Sequence, residues 1–285
     1  MKKLSLFALA AIILGMMSCD KLKEPYFTEP LVQVSDTLFL VEADTINFDG
    51  KMVVLLEDFT GVKCPNCPNA AAVANDLQSQ YGEHLVVLGV HPNSGMTYQD
   101  PTGGFPDFRT DDGEVWRQHF GIQGFPNGLV NRREGMQPHT SWTALVTSAI
   151  AEDAPVRLVV KTAYDDATRE LKVSVHSLFL QNVESDDVRL TVCMMEDNIV
   201  GKQASSSGLI PEYTHRHVFR GTADGMPWGR QLDNEATTMA SGRRFVTNMK
   251  FTLSEDYNAE EFYIVAFVSD NNTKEVLMAA EAKIK

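Results

Sequence analysis

The hydrophobic positions along the chain follow two patterns, which meet near residue 153. In the first half, apolar runs typical of strands alternate with the spacing of helices. Ala70, Val73, Leu77 and Tyr81 recur at steps of three and four residues, which gives a helix one buried stripe. A strand, helix, strand order favours parallel strands joined by a helical crossover. The predicted elements are strands at 52–59, 85–91 and 128–132, helices at 70–81, 113–120 and 141–152, and a turn at 133–135.

After residue 154 the chain changes to short runs of strand-forming residues divided by clusters of Asp, Asn, Gly and Ser. This spacing predicts a small β-sandwich of the immunoglobulin-like kind. Residues 203–241 have no clear period, and we interpret them either as a functional loop or as an irregular strand pair. The predicted strands are 156–164, 171–180, 188–196, 245–253 and 261–268, with one or two more at 31–34 and 38–41.

The N-terminus has the layout of a secretory signal. Lys2 and Lys3 precede an apolar run, residues 4–17, which ends at Ser18 and Cys19. The run is shorter than the ~20 residues that cross a bilayer. The junction resembles a bacterial lipobox, which implies cleavage before Cys19 and a lipid on that residue. An ordinary signal peptide with an incidental cysteine is the alternative.

The net negative charge of the chain limits the classes of molecule that it can bind. Cleavage would remove two of the 25 basic residues and leave 23 against 38 acidic residues, a formal charge of −15. Nucleic acid is therefore an unsuitable partner. A lipid-modified terminus would hold such a chain at a membrane without a spanning segment. No sequence feature indicates a cofactor.

Two cysteines with two residues between them carry the candidate chemistry. The motif Cys64-Pro65-Asn66-Cys67 lies where the strand at 52–59 gives way to the helix at 70–81. The positive end of the helix dipole favours a thiolate at Cys64, which we place at the N-cap, and Lys63 adds a positive charge. Pro65 then suits the first helical position.

Half of a zinc site has the same cysteine spacing, but a zinc site needs two more ligands. The other cysteines are Cys19 and Cys193, and Cys193 lies in an apolar strand typical of a buried free thiol. His215 and His217 would share one face of a strand, yet no third ligand is evident nearby. Redox chemistry is therefore favoured over a metal, and no metal site is predicted.

Residues 58–67, DFTGVKCPNC, resemble the active-site segment of thioredoxins. Residues 120–127, FGIQGFPN, look like the thioredoxin segment that carries a cis-proline. The resemblance implies that Asp58 is a buried carboxylate relaying a proton for the second cysteine, and that the Phe125-Pro126 peptide is cis beside the cysteines. Residues 92–112 would be an insertion. The implied substrate groove is lined by Phe125, Pro65 and Asn66.

Taken over the mature chain, these features resemble the outer-membrane protein twenty-eight family of lipoproteins from Bacteroides-type bacteria. The resemblance implies an outer-membrane location. The predicted organisation is a signal peptide at 1–18, a tether with strands at 19–50, an α/β thioredoxin-like domain at 51–153 and an immunoglobulin-like β-sandwich domain at 154–285.

Two functions from different classes are compatible with these residues. The first is a lipid-anchored thiol-disulfide oxidoreductase, in which Cys64 attacks client proteins that carry thiols or disulfides and Cys67 resolves the mixed disulfide. The second is a binding or adhesion lipoprotein with little turnover. The pair Pro65-Asn66 between the cysteines does not decide whether such an enzyme oxidises, reduces or isomerises.

Overall fold

The computed structural model describes residues 33–38 and 48–285. Its α-helices are α1 Cys67–Tyr81, α2 Asp111–His119 and α3 His139–Ile150. Single 3₁₀ turns lie at Gly82–His84, Thr97–Gln99 and Ala259–Glu261. The strands are β1 Gln33–Leu38, β2 Val54–Phe59, β3 Leu85–Val90, β4 Asn127–Val130, β5 Arg133–Gln137, β6 Val156–Asp165, β7 Glu170–Phe179, β8 Val188–Glu196, β9 Ile199–Ser205, β10 Gly208–His215, β11 Val218–Thr222, β12 Arg230–Gln231, β13 Arg243–Thr252, β14 Phe262–Asp270 and β15 Val276–Lys283.

The strands form three sheets within the described residues. The largest has nine strands in the order β15-β14-β8-β11-β3-β2-β4-β5, with β12 paired to β8. A four-stranded sheet has the order β1-β13-β7-β6, and all of its pairs are antiparallel. Strands β9 and β10 pair with each other as a separate hairpin.

The two halves of the chain meet in the nine-stranded sheet at β3 and β11. These strands pair in parallel at Gly89 and Val218, and the Gly89 N–H donates to the His217 carbonyl over 2.7 Å. A side chain at position 89 would place its Cβ 3.3 Å from the same carbonyl oxygen, closer than most Cβ contacts. Glycine therefore lets β11 approach β3.

The predicted fold class, an α/β thioredoxin-like domain followed by an immunoglobulin-like β-sandwich, is wrong. Strands outnumber α-helices by 15 to three over the described residues, and β2 to β5 share one mixed sheet with β8, β11, β14 and β15. Strand β2 pairs in parallel with β3 but antiparallel with β4. Pairing between strands so far apart in sequence leaves no local pattern. The predicted domain boundaries stay predictions, while the signal peptide, Cys19 and most of the tether lie outside the described residues.

Two buried clusters hold the helices against the sheets. Helices α1 and α3 contribute Leu77 and Trp142 to a cluster that extends to Phe179 and Phe245 of the four-stranded sheet. Helix α2 contributes Trp116 to a second cluster on the nine-stranded sheet. Burial of such large apolar side chains is the main favourable contribution to folding.

Most predicted strands and helices are present, and one local prediction, the position of a turn, is wrong. The turn predicted at 133–135 lies at Asn131 and Arg132, where both residues have positive φ (48° and 57°) and connect β4 to β5. That is the backbone of a two-residue hairpin turn, and Arg133 begins β5. Near the N-terminus, β1 overlaps the strands predicted at 31–34 and 38–41, whose other residues lie outside the described ones.

Candidate functional site

The two cysteines lie on the loop between β2 and α1. After β2 ends at Phe59, the Thr60 N–H donates to the Val90 carbonyl over 2.9 Å, which continues the path beside β3. A Cβ at Gly61 would lie 2.6 Å from the Tyr98 carbonyl oxygen, so this position requires glycine. The loop thereby packs against the 92–110 segment.

Cys64 and Cys67 form a disulfide with an S–S distance of 2.08 Å. The prediction that Cys64 caps the helix is wrong, because α1 begins at Cys67 with Asn66 as its N-cap. The reason is Pro68, which has no N–H to donate to the Cys64 carbonyl. That carbonyl instead accepts from the Cys67 N–H at 3.4 Å and from Gln203 Nε2 at 3.2 Å.

Gln203 belongs to the hairpin β9–β10, which covers the disulfide. Its buried amide also donates to the Gly61 carbonyl over 3.1 Å, so it bonds both ends of the turn that precedes Cys64. Cys64 is 1% exposed and Cys67 is 2% exposed. The sulfurs are therefore closed off from solvent.

Three further contacts fix the hairpin in place. The Ala204 N–H donates to the Val62 carbonyl over 2.9 Å, and Lys202 Nζ donates to the Gly103 carbonyl over 2.8 Å. A Cβ at Gly201 would lie 3.0 Å from the ring of Pro106, so the hairpin passes close to the 92–110 segment. The predicted insertion thus supports one side of the cover.

Lys63 does not direct its charge at the sulfurs. Its ammonium group bonds Asp100 at 2.6 Å and Thr102 at 3.1 Å, and it lies 5.2 Å from the centre of the Phe105 ring. Hydrogen bonds from Lys63 and Thr102 hold the pKa of Asp100 well below its usual range. The positive charge that was expected to stabilise a Cys64 thiolate is therefore paired with Asp100 instead.

Asp58 is buried at the end of β2, and its Oδ1 has no hydrogen-bond partner among the described residues. Burial raises the pKa of this carboxyl to about 8, since desolvation disfavours the charged form. Asp58 and Cys67 line one small cavity of about 40 Å³. The structure thus brings together the carboxyl and the second cysteine that the sequence paired.

Two histidines extend this cavity. His91 and His215 both line it, and both rings contact Phe108 edge to face, with centroid distances of 5.1 and 4.9 Å. Burial lowers the pKa of His91 to about 3 and that of His215 to about 4. Both imidazoles are therefore neutral near pH 7.

The expectation that His215 and His217 share a strand face is wrong. Strand β10 ends at His215, and His217 has a φ of 55° in the connection to β11. Among the described residues, no group of three or more His, Cys, Asp or Glu side chains is placed to hold a metal ion. Cys193 is a buried free cysteine in β8, as predicted.

The Phe125-Pro126 peptide is cis, as predicted. The next residue, Asn127, pairs with Phe59 at the end of β2, so the proline lies at the same end of the sheet as the disulfide loop. Phe125 contacts the ring of Tyr98 edge to face at 6.4 Å. Of the other predicted groove residues, Pro65 and Asn66 are exposed beside the buried cysteines.

Comparison with known proteins identifies the family. The family model described as outer membrane protein Omp28 matches residues 114–285, which is more than half of the chain. The chain belongs to the Omp28 family. The matched part contains the hairpin β9–β10 and does not contain the Cys64–Cys67 disulfide. A comparison with curated protein sequences gives no match.

Solved structures show what this Omp28 family member resembles in fold. HBP35 of Porphyromonas gingivalis is 19% identical with a TM-score of 0.63, over 84% of this chain and 77% of that protein. Protein AGR_C_4864 from Agrobacterium tumefaciens is 11% identical with a TM-score of 0.50, over 82% of this chain and 96% of that one. A domain of the outer membrane lipoprotein Omp28 from P. gingivalis is 21% identical with a TM-score of 0.31, over 46% and 89% of the two chains.

Family membership makes this protein an outer-membrane protein. None of the helices in the part of the chain that the structure describes has the length and apolar character needed to span a bilayer.

Two features of this Omp28 family protein escaped the sequence analysis. One is the hairpin that covers the disulfide, for which the Ser205-Ser206-Ser207-Gly208 turn was an available signal. The other is a buried ion pair, in which the Arg132 guanidinium bonds both carboxylate oxygens of Glu57 at 2.8 and 2.7 Å. A charged residue inside the apolar run of β2 was the available signal, because a buried charge needs a partner.

Proposed function

We propose that this outer-membrane protein is a binding protein that contacts a protein partner through the outer face of the hairpin β9–β10. The observation that carries the proposal is the hairpin's apolar exposure. Val200 is 64% exposed and Leu209 is 53% exposed, the largest values for large apolar residues among the described ones. Contiguous exposed apolar patches mark contact sites, and these two side chains share the outer face of one hairpin.

The pairing of the hairpin explains how one element has two different faces. Val200 is opposite Thr214 and Leu209 is opposite Ala204, and cross-strand partners share a face. Gln203, opposite Ile210, points the other way toward the cysteines. The inner face therefore closes over the disulfide while the outer face presents apolar side chains to solvent.

A binding role agrees with the closed disulfide. A client thiolate must reach a cysteine sulfur in line with the S–S bond, and both cysteines are buried in this structure. In this arrangement the disulfide ties the loop that supports the hairpin.

The binding role is tested with a photo-crosslinking amino acid at Leu209 in living cells. We expect a discrete cross-linked adduct, and Val200→Asp should weaken it because a charge replaces apolar contact area. Val115, which is 39% exposed on α2, is the matched control position. No adduct at position 209, or the same adducts at position 115, contradicts the proposal.

Thiol-disulfide exchange is the second candidate, and one observation favours it. The buried carboxyl of Asp58 borders the cavity of Cys67 and is protonated near pH 7. A client thiolate that attacks the Cys64 sulfur forms a mixed disulfide, breaks the bond to Cys67 and releases a Cys67 thiolate. Asp58 can give its proton to that thiolate. The hairpin must first move from Cys64.

Exchange is tested with Cys67→Ser, in which Cys64 can hold a client but cannot release it by intramolecular attack. We expect mixed disulfides in this variant and more of them when Gln203→Ala loosens the cover. Cys64→Ser is the control and should trap none. If Cys67→Ser with Gln203→Ala traps no client, exchange is excluded while the hairpin contact stays open to its own test.

We also propose that Cys19 carries the lipid, on the strength of the dilysine, the apolar run and the Ser18-Cys19 junction. Mass spectrometry of the mature N-terminus should find an acylated cysteine. A mature chain that starts elsewhere without a lipid refutes the assignment.

A further inference from the structure

We propose that the Cys64–Cys67 disulfide holds the hairpin β9–β10 closed, so that the redox state of the pair sets how much of the protein presents the ordered partner surface. This inference rests on the binding role proposed for the outer face of the hairpin, and it adds a regulation of that same site.

The disulfide restrains the peptide that follows Cys64, where the hydrogen bonds are weak. The Cys64 N–H donates to the Gly61 carbonyl over 3.0 Å, but the Cys64 carbonyl accepts from the Cys67 N–H only at a long 3.4 Å. Pro65 and Pro68 have no N–H with which to hold the turn against α1. The covalent bond to Cys67, the first residue of α1, therefore fixes the direction of this peptide.

The hairpin is hydrogen-bonded to the same turn. The carbonyls of Gly61 and Cys64 accept from Gln203 Nε2 at 3.1 and 3.2 Å, and the Val62 carbonyl accepts from the Ala204 N–H at 2.9 Å. All three acceptors are backbone carbonyls of the four residues that end at Cys64. Their directions depend on the conformation of the turn, so a turn released by reduction loses part of its bonding to the hairpin.

A second anchor of the hairpin does not involve the disulfide. Lys202 Nζ donates to the Gly103 carbonyl over 2.8 Å, and Gly201 packs against Pro106, both in the 92–110 segment. This anchor is present in either redox state. Reduction therefore loosens one of two anchors and does not detach the hairpin.

The hairpin has little stability of its own to replace a lost anchor. Among the described strands, β9 and β10 pair only with each other, and an isolated two-stranded hairpin is marginally stable in water. The register of the pair also shifts between Ile210 and Tyr213. Val200 and Leu209 stay largely exposed in the closed state, so they add little burial. The balance between the closed and open hairpin is therefore sensitive to the disulfide turn.

The oxidation that sets this state balances with a disulfide as the oxidant. The Cys64 thiolate attacks the oxidant, forms a mixed disulfide and releases one oxidant thiolate. The Cys67 thiolate then attacks the Cys64 sulfur, closes the Cys64–Cys67 bond and releases the second oxidant thiolate. The two cysteine protons end on the two oxidant thiolates, so the protein loses two electrons and two protons and the oxidant gains both.

The test measures hydrogen-deuterium exchange by mass spectrometry on the full chain in three forms: oxidised wild type, wild type reduced by a phosphine, and Cys64→Ser/Cys67→Ser. One hydrogen bond contributes about a factor of five to an opening equilibrium, so the peptide that covers β9–β10 should exchange about tenfold faster or more in both forms without the disulfide. A peptide of the buried strand β14 is the internal control and should change less than about twofold.

Two single variants locate the coupling. Gln203→Ala removes the two side-chain bonds to the disulfide turn, so reduction should accelerate exchange of the hairpin in this variant by less than about threefold. Lys202→Met removes the bond to Gly103 instead, so the effect of reduction should remain about tenfold or more.

Equal exchange of β9–β10 in the three forms overturns the proposal. Equal acceleration of β14 also overturns it, because the disulfide would then stabilise the whole fold, and so does the same response to reduction in Gln203→Ala and Lys202→Met. The partner contact is followed separately with the photo-crosslinking amino acid at Leu209, whose adduct should fall about twofold or more in Cys64→Ser/Cys67→Ser. No adduct in either form refutes the binding role, while the exchange rates still decide whether the disulfide holds the hairpin closed.

Discussion

Asp58→Asn should change how the stability of the protein depends on pH. In the folded protein burial holds the pKa of Asp58 at about 8, whereas an unfolded aspartate titrates near 3.9. Between these values the folded chain binds one more proton than the unfolded chain. The free energy of unfolding therefore falls as pH rises through this window, and asparagine, which does not ionise, removes that loss.

The size of the effect follows from the shift. Each pH unit inside the window changes the free energy of unfolding by about 1.4 kcal/mol. Between pH 5 and pH 7 the variant should gain about 3 kcal/mol relative to the wild-type protein. His91 and His215 contribute with the opposite sign below about pH 6.5, but they are present in both proteins and cancel in the difference.

The assay is urea unfolding of both oxidised proteins at pH 5, 6 and 7, with equal m-values as the sign that the same transition is compared. A difference in unfolding free energy that stays constant within about 0.5 kcal/mol across this range refutes the assignment of a buried, protonated carboxyl to Asp58.

Three further changes have defined outcomes. Arg132→Met should lower the free energy of unfolding by about 3–5 kcal/mol, because Glu57 is left buried without its partner. The control, Arg133→Met, removes a partly exposed ion pair and should lower it by at most about 1 kcal/mol. Equal losses for the two variants in chemical denaturation would contradict the burial argument. Gln203→Ala removes two hydrogen bonds to the disulfide turn, so the reduction of the Cys64–Cys67 disulfide by a phosphine should accelerate about tenfold or more. Gln118→Ala, at an exposed position, is the control. An unchanged rate in Gln203→Ala means that the hairpin does not limit the access of the phosphine to the disulfide. His215→Gln should reduce the loss of stability in acid, because a histidine with a folded pKa of about 4 favours unfolding as pH falls below about 6.5. If the free energies of unfolding of the two proteins change in parallel from pH 7 to pH 4.5, this role of His215 is excluded.

The parts of the site that sequence predicted are those set by neighbouring residues. The spacing of Ala70, Val73 and Leu77 predicted α1, and the cysteine motif predicted the disulfide. The resemblance to thioredoxin segments predicted the cis peptide before Pro126 and the burial of Asp58. Each of these features is encoded within about a dozen residues.

The hairpin's position over the disulfide was missed because both faces of its strands mix apolar with polar residues. Ile199 and Tyr213 lie on the inner face, while Val200 and Leu209 lie on the outer one, so no alternation of polar and apolar residues is visible. The fold class was missed for a different reason. All six residues of β2 are buried, a pattern equally compatible with an α/β sheet. The sheet that actually contains β2 is extended by the pairing of Gly89 in β3 with Val218 in β11, which the sequence of β2 does not reveal.

The separation in sequence between the disulfide and its cover has a consequence for the order of events during export. Cys67 follows Cys64 by three positions, whereas Gln203 follows Cys64 by 139. If the chain enters the envelope from its N-terminus, the thiols meet the oxidising compartment before the hairpin exists to shield them. Once the hairpin closes, the sulfurs are out of reach. The oxidation state of the cysteine pair in the mature protein is then set during export and is preserved after folding, because redox partners no longer reach the sulfurs.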